Sequence, residues 1–288
     1  MEMVSIRKAL ASDFEIIYPL FLELFRNINI PKDNWRKLFI DHWCKPEDFF
    51  GYVLIKNEKV IGFLGTVFSY RLINNQLRKF CNLSTWVVSK KYRMYSIQLL
   101  FKVLKLKNAV VTVFIPSVTT GKIFRELGFK EIEKELLIIP PVLSLRSIFN
   151  DCTIEYNKTV INKYLDNEEK KLLNDHARFN IIYLLIKSKE GYCFIIGTRT
   201  KRRHIAFARI HYISNLTVFQ MYYGFVCLNV ALKFQVLGLI VEGRYLQNCK
   251  VGKYLIHRKL AYPMMYKSDF IERSEIDTLY SEFFLLNL

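Results

Sequence analysis

Two apolar runs, "FFGYVLIK" from Phe49 and "KVIGFLGTVFSYRLI" from Lys59, meet at the short connection "NEK". Both have the length and the β-branched and aromatic content of strands, and so short a link returns the chain antiparallel. A hairpin here conflicts with a doubly wound parallel sheet, where strands and helices alternate throughout and a Gly-rich turn follows the first strand. No such turn follows "VSIRKAL", the first strand-like run.

The rest of the first half alternates around this hairpin. Ser12 and Asp13 are expected to cap a helix with Glu15 in its first turn. In it Phe14, Ile17, Phe21 and Leu24 recur at helical spacing, joined by Ile16 and Leu20. After the hairpin, the strand-like "LSTWVV" leads into a basic turn and the amphipathic "IQLLFKVLKLK". The buried strand "AVVTVFI", the short helix "TTGKIFRELG" ending in Gly128, and the strand "FKEIEKELLII" follow. Pro140-Pro141 then marks a boundary, because adjacent prolines disfavour helix and supply no ladder donors.

Beyond it the chain begins again, with the strand-like "CTIEYN", helical material in "TVINKYLDNEEKKLLNDHARF", and the hairpin "GYCFIIGTRTKRRHIAFARIHYI". This second hairpin repeats the pattern of the first with little residue identity. "FQMYYGFVCLNVALKFQVLGLIV" and "LYSEFFLLNL" are expected to complete a second α/β unit. The stretch Gly224 to Val241 is the most membrane-like, but Asn229, Lys233 and Gln235 interrupt it, so it reads as buried core.

With 288 residues, 51% hydrophobic and 24% charged, the chain has the make-up of a folded globular protein of one large or two ordinary domains. The start carries acids within its apolar stretch and no small-residue cleavage site, unlike a signal peptide. The six cysteines form no CxxC pair or zinc knuckle, which fits a reducing, cytoplasmic compartment, a bacterial cytosol or that of a host. The five histidines show no metal-ligand spacing, so no metal is expected. A net charge of +17 suits polyanions: nucleic acid, anionic lipid or a phosphorylated cofactor. From Lys59 through Arg125 there is no Asp or Glu, while Lys and Arg number twelve.

The stretch "VVSKKYRMYSIQLL", Val87 to Leu100, carries the chemistry. A strand, a basic loop and a helix start can bind phosphate, because the first amides of a helix lack intrahelical partners and lie at the positive end of its dipole. The order of elements resembles the GNAT family, the Gcn5-related N-acetyltransferases. The family signature is Arg or Gln, two variable residues, Gly, one variable residue, then Gly or Ala. Its frame here is Arg93-Met94-Tyr95-Ser96-Ile97-Gln98, in which Arg93 matches while Ser96 and Gln98 replace the glycine-type positions. "SVTTGKIFRELGFKEIE" from Ser117 is similar to the helix and strand that end the fold, with Phe124 to Phe129 giving the usual aromatic-x-x-Leu-Gly-Phe ending.

The resemblance covers roughly Met3 to Glu135 and implies a mixed, twisted sheet flanked by helices, an α/β (α+β) fold. Residues 1–139 would form an acetyl-CoA-binding domain, and residues 140–288 a second, degenerate GNAT-like domain contributing to the acceptor site or an interface. It implies an acetyl-CoA-dependent N-acetyltransferase in which an amine attacks the thioester directly. The acceptor is left open between a small amine, an amino sugar and a protein amine. The resemblance puts Val87 and Val88 beside the pantetheine arm, wraps the loop from Arg93 to Gln98 around the pyrophosphate, and sets Ser117 near the cofactor. Phe124 stands where members often have a Tyr that protonates the leaving thiolate, and it has no proton to give.

An amine must be uncharged to attack, so a base is needed, and none lies on "LSTWVV". The candidates are Asp41, His42, Asp277 and Glu282, with Ser84 or Thr85 positioning a water; a C-terminal tail paired into a sheet near the first domain would bring Tyr280 or Glu282 toward the acceptor. The missing glycines, Phe124 and the absent base favour the alternative of an inactive GNAT-like binding module. The charge alone would favour a nucleic-acid-binding protein.

Overall fold

A computed structural model describes residues 4–25, 30–40, 43–142, 151–202, 204–247 and 254–288. The chain divides into two compact units. The first comprises residues 1–132, 264–276 and 280–287; the second comprises residues 133–263, 277–279 and 288.

The first unit is a mixed sheet with helices. Its strands are β1 (Val4–Lys8), β2 (Gly51–Lys56), β3 (Lys59–Ile73), β4 (Gln76–Val88), β5 (Ala109–Val113) and the end of β12 (Ile256–Lys267), in the spatial order β1-β2-β3-β4-β5-β12. All neighbours are antiparallel except β4 and β5. The expected hairpin closes through Asn57 and Glu58, both at positive φ, as a tight turn matching the twist of paired strands requires. A second hairpin of the same kind turns at Asn74 and Asn75, so β4 starts well before "LSTWVV".

Among the described residues, the first 132 positions of this unit hold the α-helices α1 (Phe14–Leu24), α2 (Lys32–Arg36), α3 (Ser96–Leu104) and α4 (Val118–Glu126). In α1 the residues Phe14, Ile17, Leu20 and Phe21 are buried, whereas Ile16 faces solvent, being a poor match to the helical period of that face. Phe21 and Phe39 both pack on Phe63 of β3, at 5.8 and 5.2 Å between ring centroids. Burying each such ring contributes about 1.5–3 kcal/mol. Asp13 does not cap α1 with its side chain. It accepts instead from both Arg7 terminal nitrogens at 2.7 Å, and that bond holds its carboxyl below the usual range.

The second unit has the strands β6 (Lys130–Ile139, from Glu133), β7 (Cys152–Glu155), β8 (Ile181–Ser188), β9 (Gly191–Arg202), β10 (Ile205–Ile213) and β11 (Leu239–Glu242). Their order is β6-β11-β10-β9-β8-β7, with β10 and β11 parallel and the other recorded pairs antiparallel. Its helices are α5 (Lys158–Ile161), α6 (Asn167–His176) and α7 (Leu216–Phe234). The core is aliphatic, built from Ile182, Leu184, Ile186, Ile195 and Ile210 with Val218, Val226 and Val230 of α7. Among the described residues no helix is long and apolar enough to cross a membrane.

Each unit thus pairs its strands in the same order, and the counterpart of β3 is β9. A Gly-Thr pair marks that match: Gly65-Thr66 in β3 and Gly197-Thr198 in β9, each glycine facing an irregularity in the next strand. Residues 268–288 add no strand. "LYSEFFLLNL" contains the short helix α8 (Glu282–Leu285) in the first unit, where Phe283 stacks on Phe114 at 6.2 Å.

Candidate functional site

The parallel strands β4 and β5 register from Lys79↔Ala109 to Asn82↔Thr112. Beyond Asn82, β4 keeps β3 as its partner, with Leu83 opposite Thr66, Trp86 opposite Leu64, Val87 opposite Phe63 and Val88 opposite Gly62. Two residues, Ser84 and Thr85, oppose Gly65 alone, which is a β-bulge. Gly65 is required there: a Cβ on it would lie 2.4 Å from the Ser84 hydroxyl. A bulge disrupts the ladder and leaves backbone groups available at the place where β4 leaves β5. The Ser84 hydroxyl and the Trp86 indole nitrogen are also buried there without a hydrogen-bond partner in the protein. Buried polar groups are rarely left so, and such atoms suit a ligand that supplies the missing partner.

Both strands run on into helices, the usual setting for ligands in α/β sheets. After β4, the Ser89 amide donates to the Ile61 carbonyl at 2.9 Å. The residues Lys90–Tyr95 then wind as a 3₁₀ helix directly into α3. The expected loop from Arg93 to Gln98 is therefore helical throughout. Within it the Tyr92 amide is bonded to the Ser89 carbonyl and the Ser96 amide to the Arg93 carbonyl. Without glycine this segment has no residue that favours an open, left-handed cradle. Lys90, Lys91, Arg93, Met94 and Gln98 are exposed, and Tyr95, Ser96 and Ile97 are half-buried. Val87 and Val88 are buried.

Ser117 is the N-cap of α4, where its hydroxyl accepts from the Thr120 amide at 3.1 Å. Phe124 is buried between Trp86 and Phe129, at 5.8 and 4.9 Å between centroids. The Phe124 ring thus lies against the indole whose nitrogen has no partner.

A carboxylate reaches this region from the C-terminal segment. Glu282 is 3% exposed and accepts from the Asn82 side-chain amide, whose oxygen in turn accepts from the Thr112 hydroxyl at 3.2 Å. Asn82 and Thr112 are the last registered pair of β4 and β5. Neither was singled out from sequence, although an Asn within a buried strand must find a partner and so signals a network. Asp48, another carboxylate of this unit with a buried side chain, is paired with Lys79 and accepts from Tyr70. Tyr280 is buried, with its ring set edge-on to Trp43 at 5.1 Å. Asp277 lies in the second unit and accepts from the Leu279 amide. Thr85 is buried, and Asp41 and His42 lie outside the described residues.

The second unit has a bulge at the corresponding place, where Ile210 and Tyr212 oppose the adjacent residues Gly197 and Ile196, leaving His211 unopposed. Both ring nitrogens of His211 are engaged, by the Thr198 hydroxyl at 2.9 Å and the Thr278 hydroxyl at 2.8 Å, and the ring is fully buried. Burial, helped by the charge of Arg209 and by His176, holds its pKa well below the usual 6.5. The folded protein therefore keeps His211 neutral, while the unfolded chain takes up a proton near pH 6.5. Stability is full above that value and falls as pH drops below it, by up to about 1.4 kcal/mol per pH unit. Urea unfolding at pH 7.5 and 5.5 is expected to show a smaller loss in His211→Gln than in the parent; an equal loss would refute a buried neutral imidazole.

No protein-family model matches the sequence, and neither does any curated protein. Solved structures do match. A GCN5-related N-acetyltransferase from Anabaena variabilis aligns at 13% identity and a TM-score of 0.59, over 92% of this chain and 72% of that one. One from Kribbella flavida aligns at 9% identity and 0.56, over 92% and 71%. The GCN5-related glucosamine N-acetyltransferase region of a fungal multi-domain β-N-acetylglucosaminidase aligns at 11% identity and 0.62, over 93% of this chain and 38% of that one. Over more than nine-tenths of its length, the chain has the fold of the GCN5-related N-acetyltransferases.

Proposed function

We propose that the protein is an acyl-CoA-dependent N-acetyltransferase whose first domain, residues 1–139, takes acetyl-CoA where β4 leaves β5. The observation that carries this is the end of β4–β5 pairing at Asn82↔Thr112, followed by the bulge and two unpartnered polar side-chain atoms, Ser84 Oγ and Trp86 Nε1. Acetyl-CoA supplies an activated thioester when bound. Strand amides of β4 hold its arm and receive the charge that develops on the carbonyl oxygen. Lys90, Lys91 and Arg93 attract its phosphates from an acid-free segment. Glu282 takes the proton from the amine nitrogen as the nitrogen–carbon bond forms and the carbon–sulfur bond breaks, and later returns it to solvent. Phe124 offers none, so water protonates the departing thiolate, with the indole N–H of Trp86 beside Phe124 as a hydrogen-bond donor. In the second domain the fully engaged His211 supports a degenerate copy that takes no CoA.

One pair of observations favours a binding module without turnover: the wound 3₁₀ segment, which uses the Tyr92 and Ser96 amides internally, and the ring of Phe124. Thermal unfolding with acetyl-CoA, CoA and dephospho-CoA tests both readings. Acetyl-CoA and CoA at a hundred times Kd are expected to stabilise by about 2.7 kcal/mol, and dephospho-CoA by less for want of the 3′-phosphate. No stabilisation by any of the three would overturn the proposal. Stabilisation without turnover of any amine would leave the binding module.

A further inference from the structure

After β4 the first unit turns a basic surface outward along α3. Leu99, Leu100 and Val103 are buried and hold one side of that helix on β2 and β3. The opposite side is exposed and carries Gln98, Phe101 and Lys102, with Lys105 and Lys107 exposed just past the helix. Met94, in the 3₁₀ segment before α3, precedes Phe101 by seven residues, close to two helical turns, so both fall on this outer side. Met94 is 76% exposed, more than any other large apolar side chain among the described residues, and Phe101 is 45% exposed. The nearest carboxylates along the chain are Glu58 and Glu126, so nothing within this segment offsets its lysines. Single exposed apolar side chains are ordinary. Two bulky ones on a cationic, acid-free face point to a partner that takes both.

We propose that the outer side of α3 docks on an anionic membrane surface. Met94 and Phe101 enter the boundary between headgroups and acyl chains, and Lys102, Lys105 and Lys107 extend to the anionic headgroups. Two partly exposed side chains offer less apolar area than one acyl anchor, which alone binds only marginally, so the lysines must contribute. A nucleic-acid backbone would engage the lysines but give Met94 no apolar surroundings. A second copy of the chain would bring like charges face to face. Lys90, Lys91 and Arg93, which the acetyltransferase reading gives to the cofactor phosphates, are not needed for this contact.

Vesicle co-sedimentation of the full chain tests it, with phosphatidylcholine alone against phosphatidylcholine carrying about 30 mol% phosphatidylserine, at about 0.1 M salt. The anionic vesicles are expected to bind at least tenfold more tightly, and about 1 M salt should remove most of that difference by screening. Lys102→Gln combined with Lys105→Gln is expected to weaken binding about 25-fold, at roughly fivefold per lysine. Phe101→Gln is expected to weaken it about threefold or more. Both variants should melt as the parent does, since they change exposed side chains. Equal binding to the two vesicle types, binding to neither, or unchanged binding in either variant overturns the inference. So does tighter binding to duplex DNA than to anionic vesicles with Phe101→Gln unaffected, which would give this face to nucleic acid. Binding to anionic vesicles by a chain that ignores acetyl-CoA upholds the docking surface and overturns the acetyltransferase reading.

Discussion

Glu282→Gln is expected to lower kcat for amine acetylation by roughly 10²–10⁴-fold, the usual worth of a positioned general base. The variant keeps the side-chain oxygen that accepts from Asn82, so the Asn82–Thr112 network survives and the melting temperature should hold. Acetyl-CoA affinity should also hold, because in the proposed reaction the carboxylate serves the amine and not the thioester. The loss should shrink as pH rises toward the amine's own pKa, where solvent delivers more of the neutral nucleophile. Asp48 cannot substitute, since Lys79 and Tyr70 already occupy it. Turnover by Glu282→Gln equal to the parent's would remove Glu282 from the chemistry. A loss accompanied by a lower melting temperature and weaker acetyl-CoA binding would reduce its role to holding β4.

What the sequence made legible follows from how local each feature is. The first hairpin was readable because two β-branched and aromatic runs meet at a link too short for anything but a reversal. The β3–β4 hairpin was missed because Gln76, Arg78 and Lys79 make the start of β4 mostly polar, and only its apolar part announced itself. The loop from Arg93 to Gln98 was assigned to the right junction and the wrong conformation. Side chains at every position let it wind continuously into α3, where glycines would have favoured an open turn. The sequence pattern sets the first hairpin, β2–β3, against β9–β10, whereas strand order and the Gly-Thr pairs at 65–66 and 197–198 set β3 against β9. The meeting of Asn82 with Glu282 lies 200 residues apart in the chain, and no spacing rule reaches that far.

Arg244→Leu is expected to destabilise the second unit by about 3–5 kcal/mol, the cost of stranding a buried charge. Arg244 Nε lies 2.8 Å from Glu242 Oε2, with the two side chains 9% and 2% exposed. Glu133 adds negative charge nearby, accepting from the Arg244 amide at 2.7 Å. Burial drives the Glu242 carboxyl above its ordinary range, Arg244 opposes that shift and Glu133 reinforces it. Without the guanidinium, Glu242 should rise further, so folding takes up a proton that the unfolded chain releases. The penalty of the single variant is then full at neutral pH and shrinks as pH falls through the raised folded pKa. Replacing both partners, Glu242→Leu with Arg244→Leu, removes the stranded charge and should recover most of the loss, because apolar pairs of similar volume often match a buried ion pair. Urea unfolding at pH 7 and pH 5 on the parent, the single and the double variant reads out all three expectations. A single-variant cost below about 1 kcal/mol would mean that water reaches the pair. No recovery in the double variant would mean that packing around Arg244, and not its charge, holds this part of the unit together.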